Sequence, residues 1–171
     1  MFKQAIFRTG IKFGGISALA GFAIILILFL VGINPFGQLS LWSWIFIPVF
    51  IFLGIRSFKR NYDPELGFLK ALKAGWSIAF FTALFSALLI FIFATVGGEE
   101  VMQRHITEMK TLFESSRQAA IEAKVLTPEA FDQTLKELDK TTAGSLALDD
   151  FFKKFAIGFF IAVVGAVFFR K

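Results

Sequence analysis

Four apolar runs, separated by polar or turn-forming segments, set the plan of this chain. The longest, Ala74 to Gly97, reads AGWSIAFFTALFSALLIFIFATVG and carries no charged residue. At about 1.5 Å of helix rise per residue it can cross a hydrocarbon core of about 30 Å. Phe13 to Ile33 is an earlier run of similar reach. Leu39 to Ile55 follows the uncharged turn signal Asn34-Pro35-Phe36-Gly37, with Trp42 and Trp44 near its start, where membrane-interface aromatics concentrate. Phe151 to Phe169 is the last and shortest, and Lys153 and Lys154 at its start are expected to snorkel toward the interface. The pattern predicts an all-α, polytopic membrane protein, with spans at about 13–33, 39–55, 74–97 and 151–169 in a single membrane domain over residues 1–171.

Residues 98–150, between the third and fourth spans, form the long polar segment. Met102, Ile106, Met109 and Phe113 recur at steps of three and four, then the stripe weakens to Ala120 and Ala123. Thr127-Pro128-Glu129 is a helix-start signal, followed by Phe131, Leu135 and Leu138 on one face. Together they predict an extramembrane helical hairpin, broken from the last span by Thr141 to Ser145. Two further local features stand out. Asp63-Pro64-Glu65 reads as the start of an amphipathic lead-in, with Leu66, Leu69 and Leu72, that runs into the third span. Pro48, near the middle of the second run, predicts a kink, which serves either as a hinge or as an ordinary membrane-helix irregularity.

Composition agrees with a bilayer environment: 56% of residues are hydrophobic, the mean hydropathy is +0.70, and 25 Phe stand against one Tyr. The first run continues past Ala18-Leu19-Ala20 to Ile33, so it reads as a retained span rather than a cleaved signal peptide. The net charge of +5 is distributed as a topology signal. Lys3, Arg8, Lys12, Arg56, Lys59, Arg60, Lys70, Lys73, Arg170 and Lys171 lie in the termini and second loop, against only Asp63 and Glu65. The positive-inside rule then places both termini in the cytoplasm and 98–150 outside, in the periplasm of a bacterial cytoplasmic (inner) membrane protein; Lys153 and Lys154 are the local exception.

Candidate chemistry is sparse. With no Cys and a single His105, thiolate chemistry and multi-histidine metal sites are excluded within one chain. No cofactor, metal or nucleic-acid motif is present. His105, beside Glu99, Glu100, Arg104 and Glu108, reads as a solvated surface residue, with a metal or general-base role as the sharper alternative. The inner parts of the spans hold no titratable residue, which argues against an ion-coupled transporter. Ser17, Ser77, Thr82, Ser86 and Thr95 are the span hydroxyls, which ordinarily satisfy nearby backbone. Small residues recur every fourth position as Gly10, Gly14, Ala18, then Ala79, Ala83, Ala87, and Gly158, Ala162, Ala166. Such stripes allow close helix packing within the bundle, against a partner or against a second copy. Arg56, Lys59, Arg60, Lys70 and Lys73 form a basic cluster suited to anionic lipid head groups or to setting topology.

The order of these features resembles the domain-of-unknown-function 4199 family of small bacterial inner-membrane proteins. The residues that carry the likeness are Phe13-Gly14-Gly15-Ile16-Ser17 in the first span, the basic end of the second, Phe68-Leu69-Lys70-Ala71-Leu72-Lys73-Ala74-Gly75 opening the third, the acidic hairpin, and the final Arg170-Lys171. The resemblance implies four membrane helices and a bacterial cytoplasmic membrane, and supplies no catalytic or binding residues. The leading functional expectation is a non-enzymatic accessory or scaffold subunit that binds a membrane-protein partner or forms a homo-oligomer. A small oligomeric transporter or channel, lined by Pro48 and the span hydroxyls, is the alternative. A membrane enzyme working with His105 and the outer carboxylates comes third.

Overall fold

The computed structural model describes residues 2–123, 125 and 127–170; Lys171, counted in the charge pattern, lies outside them. The described residues form helices joined by short turns. Four segments are long and apolar enough to cross a membrane: α1 (Phe2–Leu30), a 3-10 helix (Gln38–Ile45) that continues into α2 (Phe46–Asn61), α3 (Phe68–Val96) and α7 (Ala143–Phe169). Between α3 and α7 lie α4 (Gly98–Ser115), α5 (Arg117–Glu122) and α6 (Pro128–Leu138).

α3 is the central element, packed along most of its length against α1 on one side and α7 on the other, while α2 touches all three. Lipid gives apolar side chains no incentive to leave it, so helices associate through close backbone approach. The small residues supply that approach. A Cβ on Gly14 would stand 2.7 Å from the Phe81 Cβ, one on Gly158 2.7 Å from the Ala79 Cβ, and one on Gly75 2.8 Å from the Ala162 Cβ. Around these contacts Ile47, Ile51, Ile55 and Phe58 of α2 join Ile78 of α3 and Ala166 of α7 in one buried core. A smaller cluster, Ile25, Ile90 and Ala147 with Phe22, Phe36 and Phe93, closes the opposite end of the bundle.

Several helix ends differ from the sequence expectation, each for a local reason. α3 starts at Phe68 with Gly67 as N-cap, rather than at Asp63-Pro64. Leu66 is fully buried in the core, and Asp63 pairs with Lys70 at 2.8 Å instead of capping. From Phe68 the helix then runs without a break to Val96. Pro48 lies in the first turn of α2 and makes no mid-helix kink, because the preceding residues wind as a 3-10 helix. In a first turn the missing N–H has no intrahelical partner to lose.

The last helix begins at Ala143, well before Phe151. Thr142 and Ser145 form a capping box: Thr142 Oγ1 accepts from the Ser145 backbone N–H at 3.1 Å, and Ser145 Oγ accepts from the Thr142 N–H at 2.8 Å. The Thr141 to Ser145 segment therefore starts α7 as well as separating it from α6. At the other junction, Gly98 at φ +73° turns the chain from α3 into α4, a conformation that disfavours a Cβ. α4 and α6 meet in antiparallel order: Phe113 stacks on Phe131 at 4.2 Å, flanked by the ion pairs Lys110–Asp139 at 2.6 Å and Arg117–Asp132 at 3.0 Å.

Candidate functional site

Starting α7 at Ala143 places Asp149, Asp150, Lys153 and Lys154 inside a continuous helix. Positions 150, 154, 158, 162 and 166 share one helix face. Gly158, Ala162 and Ala166 of that face pack on α3, so Lys154 enters the same interface. It is 4% exposed. The expectation that Lys154 snorkels to the interface, and that the bundle interior holds no titratable group, is thereby corrected. The stripe read from Gly158 onward points to this when it is extended back one turn.

Lys154 is held in a closed triangle. Its Nζ lies 2.8 Å from Asp150 Oδ1, one turn earlier, and also donates to Ser86 Oγ of α3. Ser86 Oγ donates in turn to Asp150 Oδ2 at 2.8 Å. The pair thus gains a hydrogen bond from a neighbouring helix, as a buried ion pair requires to offset desolvation. Lys154 and Ser86 also border a narrow void with Ser17 of α1, Thr82 of α3 and Ser43 of the 3-10 helix. Among the described residues, the buried hydroxyls of Ser17, Ser43 and Thr82 have no hydrogen-bond partner, and the void has no room for a water molecule. Each such hydroxyl carries an uncompensated desolvation cost of about 1–3 kcal/mol. Elsewhere the span hydroxyls are satisfied: Ser77 Oγ donates across to the Ile6 carbonyl of α1 at 3.3 Å, and Thr95 Oγ1 to the Phe91 carbonyl one turn back at 2.7 Å.

Ser43 also lines a larger cleft of about 330 Å³ on the α4 side of the void. Asp149, Asp150 and Lys153 supply its charged edge, and apolar residues that include Phe36 and Trp44 supply its walls. Asp149 and Lys153 pair one turn apart, both more than half exposed, so this pair is far weaker than the buried one beneath it. Trp42 points outward, 66% exposed, whereas Trp44 turns in toward core and cleft.

His105 sits at the cleft edge and is buried, 8% exposed, which corrects its reading as a solvated surface residue. Asn34 explains why. Its Oδ1 accepts the Phe36 N–H at 3.0 Å, which aims its Nδ2 to donate to His105 Nδ1 at 3.3 Å. The Phe36 ring meets the imidazole edge to face at 5.8 Å. Nearby, Arg104 Nη1 donates to the Gly32 carbonyl at 3.0 Å, so the first loop holds the base of α4. Burial lowers the His105 pKa from its ordinary value; the charges of Glu108 and Asp149 oppose that shift and Lys153 adds to it. Neutral His105 keeps Nδ1 as an acceptor for Asn34, whereas a protonated ring would present a donor to a donor.

The small-residue stripes face inward. Gly10 and Gly14 lie against Ser77, Phe81 and Thr82 of α3, and Ala18, Ala79, Ala83, Ala162 and Ala166 are each 2% exposed or less. Ala87 is half-buried. Of the basic cluster, Lys59 Nζ donates to the Phe169 carbonyl at 2.9 Å, capping the end of α7, and Lys70 pairs with Asp63. Arg56, Arg60 and Lys73 are exposed. Among the described residues, no group of three or more His, Asp or Glu side chains is placed to hold a metal ion. The arrangement suits polar binding: a buried ammonium–carboxylate–hydroxyl triangle whose Asp150 borders an amphipathic cleft.

No curated protein and no solved structure matches the chain. A family model described as protein of unknown function (DUF4199) matches residues 12–171. That match covers nearly the whole chain, and the protein belongs to the DUF4199 family.

Proposed function

We propose that this multi-pass membrane protein binds a small polar solute in the cleft and passes it inward by way of Lys154, placing it in the class of small transporters or channels rather than enzymes. The observation that carries this reading is the Lys154–Asp150–Ser86 triangle, buried between α3 and α7 beside unpartnered hydroxyls. Ionisable groups inside a membrane bundle are costly to place there and characteristically mark solute or ion paths. This removes the main argument against transport, the supposed absence of titratable groups in the spans. The charge pattern supports cytoplasmic termini and a periplasmic 98–150 segment in a bacterial inner membrane. Pairing of Lys153 and Lys154 with Asp149 and Asp150 removes the local exception to it. Exposed Arg56, Arg60 and Lys73 then face anionic lipid on the inner side.

The test is influx of glycerol, glycine or potassium chloride into proteoliposomes, followed by stopped-flow light scattering. The reading predicts that one of these enters faster than into protein-free liposomes. Rates equal to protein-free liposomes for all three oppose it.

A second reading, an accessory or scaffold subunit bound to a membrane partner, is favoured by the α4–α6 arm. Its outer part is held by its own Phe113–Phe131 stack and two ion pairs, a self-supported surface well suited to contact another protein. The small-residue stripes lend this reading little, since they are covered within the chain. Purification from the native membrane in mild detergent, with a partner at fixed stoichiometry, is the result it requires.

A further inference from the structure

We propose that the cleft binds a zwitterion: a molecule with an ammonium and an acid group close together on an apolar body. The inference rests on the solute-binding reading and names the class of ligand. Its first ground is charge balance. The charged edge holds Asp149, Asp150 and Lys153, with Lys154 directly behind Asp150, so two carboxylates face two ammonium groups. His105 beside them is held toward its neutral form by burial.

The second ground is the unequal strength of the two pairs. Lys154 and Asp150 are buried and locked by Ser86, whereas Asp149 and Lys153 are 53% and 57% exposed. An exposed pair one turn apart on a helix is screened by solvent and contributes little, so it opens at little cost. Inserted between its arms, a zwitterion replaces one weak contact with two, its acid group on Lys153 and its ammonium on Asp149. A ligand with a single charge engages one arm and leaves the other unpaired.

Shape and lining supply the third ground. The volume of about 330 Å³ falls at the small end of the range for small-molecule sites, about 300–1,000 Å³. Ile25, Phe36, Leu41, Trp44, Ile90 and Leu146 surround an apolar body. Ser43, 3% exposed, lines the same cleft, and its buried, unpartnered hydroxyl is a donor within the site for the ligand's acid group. Two sources carry this chemistry: a free apolar amino acid, or the head group of a zwitterionic phospholipid.

The experiment uses the full chain in nanodiscs of phosphatidylglycerol, with thermal stability read at millimolar L-leucine, 3-methylbutylamine or 4-methylpentanoate. The amine and the acid are leucine without its carboxylate and without its ammonium. A rise in Tm with leucine alone, weakened about tenfold in apparent affinity by Lys153→Met, supports the free amino acid. Lys153 is exposed, so this variant keeps the fold. A rise on adding phosphatidylethanolamine to the discs, with loss of any leucine response, supports the lipid source. No response to either zwitterion, or an equal response to the amine or the acid, overturns the proposal. If that happens while glycerol or chloride influx persists, the ligand class is wrong and the transport reading stands. Leucine binding with no flux of any solute leaves the zwitterion site in place and removes transport.

Discussion

Lys154 of α7 donates to the hydroxyl of Ser86 on α3 while pairing with Asp150 at 2.8 Å, so a charged side chain forms part of the contact between two membrane helices. Removing one member of a buried pair strands the other charge. Lys154→Met alone is expected to lower stability by about 3–5 kcal/mol, whereas the double variant Asp150→Leu/Lys154→Met should be near or above wild type. Unfolding in detergent, followed by tryptophan fluorescence, compares the two. A single variant as stable as wild type contradicts the buried placement of Lys154.

Close packing of α1 on α3 gives a sharper contrast between neighbouring glycines. A Cβ at position 14 meets the Thr82 amide nitrogen at 2.8 Å and the Ile78 carbonyl at 2.9 Å, backbone atoms that cannot swing aside. At position 15 the nearest atoms are the Phe85 ring carbons at 3.7 Å. Gly14→Ala should therefore cost about 1–3 kcal/mol, as overpacking does, while Gly15→Ala is neutral or stabilises by up to about 1 kcal/mol through helix propensity. Melting temperatures of the two variants in the same detergent decide it.

The contact between Asn34 and His105 should respond to pH. His105 has a lowered pKa in the folded state, so the unfolded chain binds the proton more readily. Stability from this group is then complete above the ordinary value of 6.5 and is lost as pH falls through the lowered folded value. Below that window Asn34 loses its acceptor, and α4 should loosen from the first loop. Hydrogen-exchange protection across residues 98–115, taken relative to the intrinsic amide rate at each pH, is expected to fall as the medium is acidified, and the change should be absent in His105→Gln. Glu108, Asp149 and Lys153 bear on His105, so Lys153→Met should move the transition to higher pH. Protection unchanged by pH in the wild type contradicts the coupling.

Orientation can be read cleanly because the chain has no cysteine. In spheroplasts, Ser116→Cys should react with an impermeant maleimide, whereas Asn61→Cys should react only after permeabilisation. The reverse pattern would invert the topology.

The four spans were legible because apolar runs of near-bilayer length with few or no charges have few other uses. The buried site was not, since Lys153 and Lys154 look alike in sequence. Only their helical register separates them: Lys154 continues the Gly158–Ala162–Ala166 face, and Lys153 does not. Asp150 joins that face because α7 starts at Ala143, where the Thr142–Ser145 capping box sets its first turn, although Thr141 to Ser145 reads as a simple break. His105 was hidden for a related reason. Its burial comes from Asn34, 71 positions away, whose side chain looks like an ordinary turn residue. Pro48 was misleading in the other direction, because a 3-10 lead-in leaves no periodic signal to mark where α2 begins.

The double variant Asp150→Leu/Lys154→Met tests the central claim most directly, because it removes the charges without leaving either one stranded. Its proteoliposomes are compared with wild type for influx of glycerol, glycine and potassium chloride by stopped-flow light scattering. The account predicts a folded protein, with a melting temperature at or above wild type, whose influx falls to the protein-free rate. Wild-type influx through this variant would mean that Lys154, Asp150 and Ser86 only hold α3 and α7 together.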